Sequence, residues 1–222
     1  MSMEPGSGAI EELLSHYAAG RLLGPLHALV ASHLDLSPRN RGFVQALEDW
    51  ASRQIEADGA VALADRDAAL ATIFAAPAPV PSAVAAPGKE AGSAPIAALI
   101  AHAQARDRAS LPWRRYLPGV RRVAIASSKD AGEVNFYWIK AGKRLPAHTH
   151  AGQEITLVLR GGFSDVTGHY ARGDIAIADA EIDHRPVADS DEDCICFAVT
   201  DAPLLLTGPI GSVVQHLLGG RR

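Results

Sequence analysis

Cysteine is scarce in this chain, which carries two in 222 residues, Cys194 and Cys196. That excludes a disulfide-stapled scaffold and any Cys-rich zinc finger. The pair lies two residues apart on a predicted strand, so both point to one face. They are expected as buried reduced thiols, which suits a reducing cytoplasm. A basic excess is also missing: the formal net charge is −4, which argues against direct nucleic-acid binding. No uninterrupted apolar run nears the roughly 18 residues of a membrane span. The start, Met1-Ser2-Met3-Glu4-Pro5-Gly6, has neither the basic nor the apolar region of a signal peptide. The expectation is a cytoplasmic protein with no membrane contact.

What is present is an ordinary globular composition, 48% apolar and 21% charged, at a length that fits one large domain or two small ones. Charge is uneven. Residues 1–75 hold five Arg and ten Asp/Glu, a net of −5, and the remainder is close to neutral. An acidic half attracts a basic partner. Between the halves lies AAPAPVPSAVAAPGKEAGSAP, with prolines at 77, 79, 81, 87 and 95. Proline removes backbone donors and fixes φ, so residues 76–95 read as an extended Pro/Ala-rich linker. Residues 1–75 and 96–222 are then the two domains.

The first half has helical periodicity. Ile10, Leu13, Leu14 and Tyr17 recur at helical spacing, and Gly20 stands where a helix-ending residue belongs. Pro25 opens a second helix whose Leu26, Leu29, Val30, His33 and Leu34 share one face. Ser37-Pro38 reads as a cap and first turn of a third helix, with Phe43, Leu47, Trp50 and Ile55 at apolar positions. Leu63 to Phe74 is a fourth, and Ile96 to Arg106 a fifth beyond the linker. The small bundle is expected to rest on Leu13, Tyr17, Leu29, Leu34, Phe43, Leu47 and Trp50. Downstream the period becomes two. Val134–Ile139, Ile155–Leu159, Asp174–Ile177 and Cys194–Val199 read as strands separated by glycine turns. Many short strands indicate a β-sandwich or barrel.

The chemistry lies in Gly142-Lys-Arg-Leu-Pro-Ala-His148-Thr-His150-Ala-Gly-Gln-Glu154. In extended backbone His148 and His150 project to one face, and Glu154 can turn back to the same point. Imidazoles plus a carboxylate suit a divalent transition metal. His184 is the candidate fourth ligand. The full spacing, G-x5-H-x-H-x3-E-x6-G followed by G-x5-D-x-E-x2-H, resembles the two cupin motifs. A cupin is a double-stranded β-helix, or jelly roll. The fold expected is therefore α+β: a helical bundle followed by an all-β cupin. Asp179, Glu181 and Asp183 could orient His184, but most of them are expected to be solvated turn residues.

The rest of the chain narrows the resemblance. Glu12-Leu-Leu-Ser-His-Tyr17-Ala-Ala-Gly20, Val30-Ala-Ser-His33-Leu-Asp-Leu36 and Asp193-Cys-Ile-Cys-Phe-Ala-Val-Thr-Asp-Ala-Pro203 resemble the ChrR family of anti-sigma factors. That resemblance implies a sigma-binding helical domain joined to a cupin sensor of oxidative stress or a small ligand. It implies one divalent metal in the cupin, with zinc the family expectation; iron, manganese or nickel suit the same ligands. The partner implied is an extracytoplasmic-function sigma factor, met by a region containing Leu13, Tyr17, His33 and Arg41. The chain departs from the family in one place. Family members hold a second zinc in the helical domain through H-x3-C-x2-C and an early histidine. Here Ser37 and Asn40 stand at the cysteine positions and the early histidine falls near Gly8, so no N-terminal zinc is expected. Two alternatives stay open: a metal-dependent, dioxygenase-like cupin enzyme, and a cupin protein that has lost sigma binding.

Overall fold

The computed structural model describes residues 7–22, 24–60, 64–76, 96–105, 111–128, 132–202 and 204–207. The proline-rich stretch 77–95 lies outside the described residues. Five helices come first: α1 (Ser7–Ala18), α2 (Gly24–Leu36), α3 (Pro38–Ala57), α4 (Arg66–Ala75) and α5 (Ile96–Gln104). Strands follow: β1 (Arg114–Leu117), β2 (Val120–Ser128), β3 (Gly132–Ile139), β4 (His148–His150), β5 (Glu154–Arg160), β6 (Gly162–Ser164), β7 (His169–Ala171), β8 (Ile175–Ala178), β9 (Val187–Ala188), β10 (Cys194–Thr200) and β11 (Leu204–Leu206).

The helix ends follow local chemistry. Gly20 takes φ +65, and its N–H bonds the Tyr17 carbonyl while that of Arg21 bonds the His16 carbonyl. This paired closure needs a left-handed residue that glycine adopts without strain. Pro38 occupies the first turn of α3 behind an extended Ser37, although the Ser37 hydroxyl makes no capping bond. Asp65 caps α4 by accepting from the Ala68 N–H at 2.8 Å.

The strands form a six-stranded antiparallel sheet, β1-β2-β3-β10-β5-β8, a three-stranded sheet, β7-β6-β9, and the pair β11-β4. Alternation gives the large sheet two apolar faces. Ile155, Leu157, Leu159, Ile195 and Phe197 pack with Leu13, Leu14, Leu29, Val30 and Leu34 of α1 and α2 and with Ile100 and Ala103 of α5. Val158, Cys194 and Cys196 turn the other way and join Val120, Ile139 and Phe163 inside the barrel. Helices and sheet therefore share one core, and each fully buried Leu or Val adds about 1.5–3 kcal/mol to it.

Two expectations about the bundle are corrected. Phe43 is 37% exposed and Trp50 59% exposed, so neither is core, and Ile55 is 73% exposed. On α3 the buried position is Val44. The outer face of the β-sheet takes up the burial expected from helix-on-helix packing. Short helices need such a partner surface to persist. α4 begins at Arg66 and buries no residue. No helix among the described residues is long and apolar enough to cross a membrane.

Candidate metal centre

The four predicted ligands come together inside the barrel. Ligand atoms of His148, His150, Glu154 and His184 lie within 4.8 Å of one another. β4 supplies both early histidines, held in place by β11 through the pairs Leu206–His148 and Leu204–His150. Glu154 opens β5 opposite Ala178. His184 belongs to no long strand, yet it is fixed. Its N–H bonds the His148 carbonyl at 2.9 Å, and the His148 N–H bonds the His184 carbonyl at 3.0 Å. Two ligands 36 residues apart in sequence thus sit on one backbone bridge.

Hydrogen bonds outside the cluster set which ring nitrogens face inward. The His148 Nδ1–H donates to the Pro146 carbonyl at 2.9 Å. The His184 Nδ1–H donates to the buried Asp165 carboxylate at 2.8 Å. A neutral imidazole that donates from Nδ1 carries a bare lone pair on Nε2. The Nε2 atoms of His148 and His184 are 3.0 Å apart. The His150 Nε2 lies 3.3 Å from that of His184 and 2.8 Å from a Glu154 oxygen. Converging lone pairs and a carboxylate repel one another unless a cation or a proton lies between them. The donor set therefore fits a divalent metal held by three nitrogens and one oxygen.

Electrostatics agree. Burial pushes the His148 pKa down, and the neighbouring imidazoles add to this against the Pro146 bond. The ring is thus held neutral, as a ligand must be. Burial alone would raise the Glu154 carboxyl, but the hydrogen bond from His150 leads the opposing effects and holds it below its ordinary range. The Thr156 hydroxyl donates to the second Glu154 oxygen at 3.2 Å.

Sequence reasoning missed Asp165. Its carboxylate orients His184 and accepts from the Thr167 N–H at 2.8 Å and from the Thr167 hydroxyl. Burial opposes its ionisation, but the His184 and Thr167 bonds prevail and lower its pKa. Asp179, Glu181 and Asp183 are exposed turn residues. Asp179 accepts from the Glu181 N–H, and Asp183 from the Thr207 hydroxyl. The His169 turn is at the surface, where the ring meets Asp189.

The helical residues named for partner binding are differently placed. Leu13 is buried, and Tyr17 stacks on His27 with ring centroids 4.9 Å apart. His33 is 2% exposed. Arg41 is engaged with the Leu34 and Asp35 carbonyls at the end of α2. At the positions where the family has cysteines, the Asn40 amide donates to the His33 Nε2 at 2.8 Å, and the Ser37 N–H closes the end of α2 on the His33 carbonyl at 2.8 Å. Serine and asparagine offer no thiolate for zinc.

Comparison with known proteins matches this architecture. Residues 102–203 match the ChrR cupin-like domain. Anti-sigma-E factor ChrR of Cereibacter sphaeroides is 36% identical over 210 residues, spanning 92% of this chain and 94% of that protein. The chain belongs to the ChrR family. The crystal structure of Rhodobacter sphaeroides SigE in complex with the anti-sigma ChrR contains a chain of 34% identity. It covers 86% of this chain and 96% of that one, with a TM-score of 0.65. By name this relative is an anti-sigma factor, a regulator and not the enzyme of the alternative reading.

Proposed function

We propose that the chain is a cytoplasmic anti-sigma factor that sequesters an extracytoplasmic-function sigma factor through its N-terminal helices. Its cupin acts as a metal-dependent sensor of oxidative stress or of a small ligand. The observation that carries this reading is the two-sidedness of β5. Glu154 and Thr156 face the metal cluster, while Ile155, Leu157 and Leu159 pack against the helices. A change in how Glu154 is held therefore acts on a strand that supports the partner-binding unit.

The contacts we assign are exposed apolar side chains of α3 and of α4. They are Phe43, Trp50, Ile73 and Phe74, with Phe74 82% exposed. Large aromatics left in water on short helices are anchors for a partner. The acidic charge of residues 1–75 complements the basic surfaces a sigma factor uses on DNA.

Zinc is the metal expected. A divalent cation held by His148, His150, Glu154 and His184 would supply a Lewis-acidic centre. The protein's own part is to hold the His148 imidazole neutral, fix His148 and His184 by outer hydrogen bonds, and keep Glu154 ionised.

Co-expression with an extracytoplasmic-function sigma factor encoded beside it, followed by size-exclusion and metal analysis, tests the proposal. A one-to-one complex that represses sigma-dependent transcription, with one metal per chain, is expected. Absence of a complex with a folded, metal-loaded chain would overturn the anti-sigma assignment.

A further inference from the structure

Beside the ligand cluster the barrel holds a cavity of about 110 Å³ that opens to the surface. His148, Glu154 and His184 of the cluster line it, and Thr156, Tyr137 and Tyr116 are also among its lining residues. The rest of the wall includes Val120, Ile139, Leu145, Phe163 and Ala176. Exposed Tyr116 and Leu204 also line it, so it reaches the surface.

From this space we infer a ligand class: a short-chain aliphatic monoanion, its single charged head at the ligand cluster and its chain along the apolar wall. This rests on the sensor reading proposed above and names what that sensor would bind.

Size sets the first limit. An apolar cavity of about 150 Å³ takes benzene, so this one takes a ligand of about four to six heavy atoms, head included. Charge sets the second. Three neutral imidazoles and one carboxylate around a divalent cation leave one positive charge, which one anionic head neutralises. A second charge part-way along the wall, short of the mouth, would meet no side chain of opposite charge and is strongly disfavoured. Dicarboxylates and zwitterionic amino acids are disfavoured on this ground. The side chains that remain favour binding without reaction. A hydrogen bond with Cys194, together with burial, keeps the Cys196 thiol protonated. Burial and the nearby Glu154 carboxylate keep the Tyr137 phenol protonated. Neither is poised as a nucleophile or a base.

The test uses the full zinc-loaded chain with butyrate and succinate as probes, followed by saturation-transfer NMR and titration calorimetry. Butyrate should bind at least tenfold more tightly than succinate. Filling the wall with Ala176→Leu should weaken butyrate at least tenfold and leave zinc stoichiometry at one. Ala178→Val, on the same strand, serves if the first variant does not fold. Butyrate that fails to bind, succinate that binds equally well, or indifference to the filled wall would each overturn the inference while zinc is present. A chain that takes up no zinc would instead overturn the sensor reading beneath it.

Discussion

The His33 Nδ1–H donates to the Gly173 carbonyl at 2.6 Å, tying α2 to the turn that opens β8. The other ring nitrogen accepts from Asn40 on α3. One buried imidazole thus links two helices to the barrel at the place where the family expectation was a zinc ligand. Gly173 has φ +95, and a Cβ there would lie 3.1 Å from that of Leu36. A side chain would be strained and would press on α2.

His33→Ala and Asn40→Ala should each destabilise the fold by about 1–3 kcal/mol, the cost of leaving buried polar groups unpaired. Cupin metal content should not change. Denaturant melts with parallel metal analysis measure both. Metal lost from His33→Ala would show that this histidine is a ligand after all.

His33 also sets a pH dependence. Burial lowers its pKa, against the Gly173 bond and nearby Asp174, which raise it. The folded ring therefore stays neutral at pH values where the unfolded ring is protonated. Below about pH 6.5 the unfolded chain binds the extra proton, so stability falls with acidification. The slope is at most about 1.4 kcal/mol per pH unit for one proton. Melts of wild type and His33→Gln between pH 7 and 5 should converge as the pH drops.

The cluster was legible in the sequence because extended backbone turns a spacing of two into a shared face, which places His148 and His150 without further information. Asp165 was not legible. It meets His184 across 19 residues through a fold that local spacing does not encode. The apolar stripe of α3 is visible in the sequence, but periodicity marks an apolar face without saying whether the same chain covers it, and the structure leaves Phe43 and Trp50 exposed. Strands of two or three residues, such as β6 and β9, are too short to establish a period.

Asp165→Asn should weaken metal binding by about 10–100-fold, because it removes the charge that orients His184 and raises its basicity. Chelator competition reads this out. His148→Ala should remove the metal altogether. Equal affinity in Asp165→Asn and wild type would show that the backbone bridge alone positions His184.

Trp50→Ala and Phe74→Ala should leave the melting temperature nearly unchanged, since both side chains are exposed. Each should weaken the sigma complex by about 2 kcal/mol or more if it is an anchor. Calorimetric titration against the sigma factor separates these variants from His33→Ala, which should alter stability first.

β5 is written twice over: its even positions, from Glu154 to Val158, serve the barrel interior, and its odd positions, from Ile155 to Leu159, serve the helices. Moving the strand by a single residue exchanges the two sets. The segment can therefore accept point substitutions, but an odd-numbered insertion or deletion would strip the cation seat and the helix dock together, so among relatives length changes should collect in the loops on either side of it.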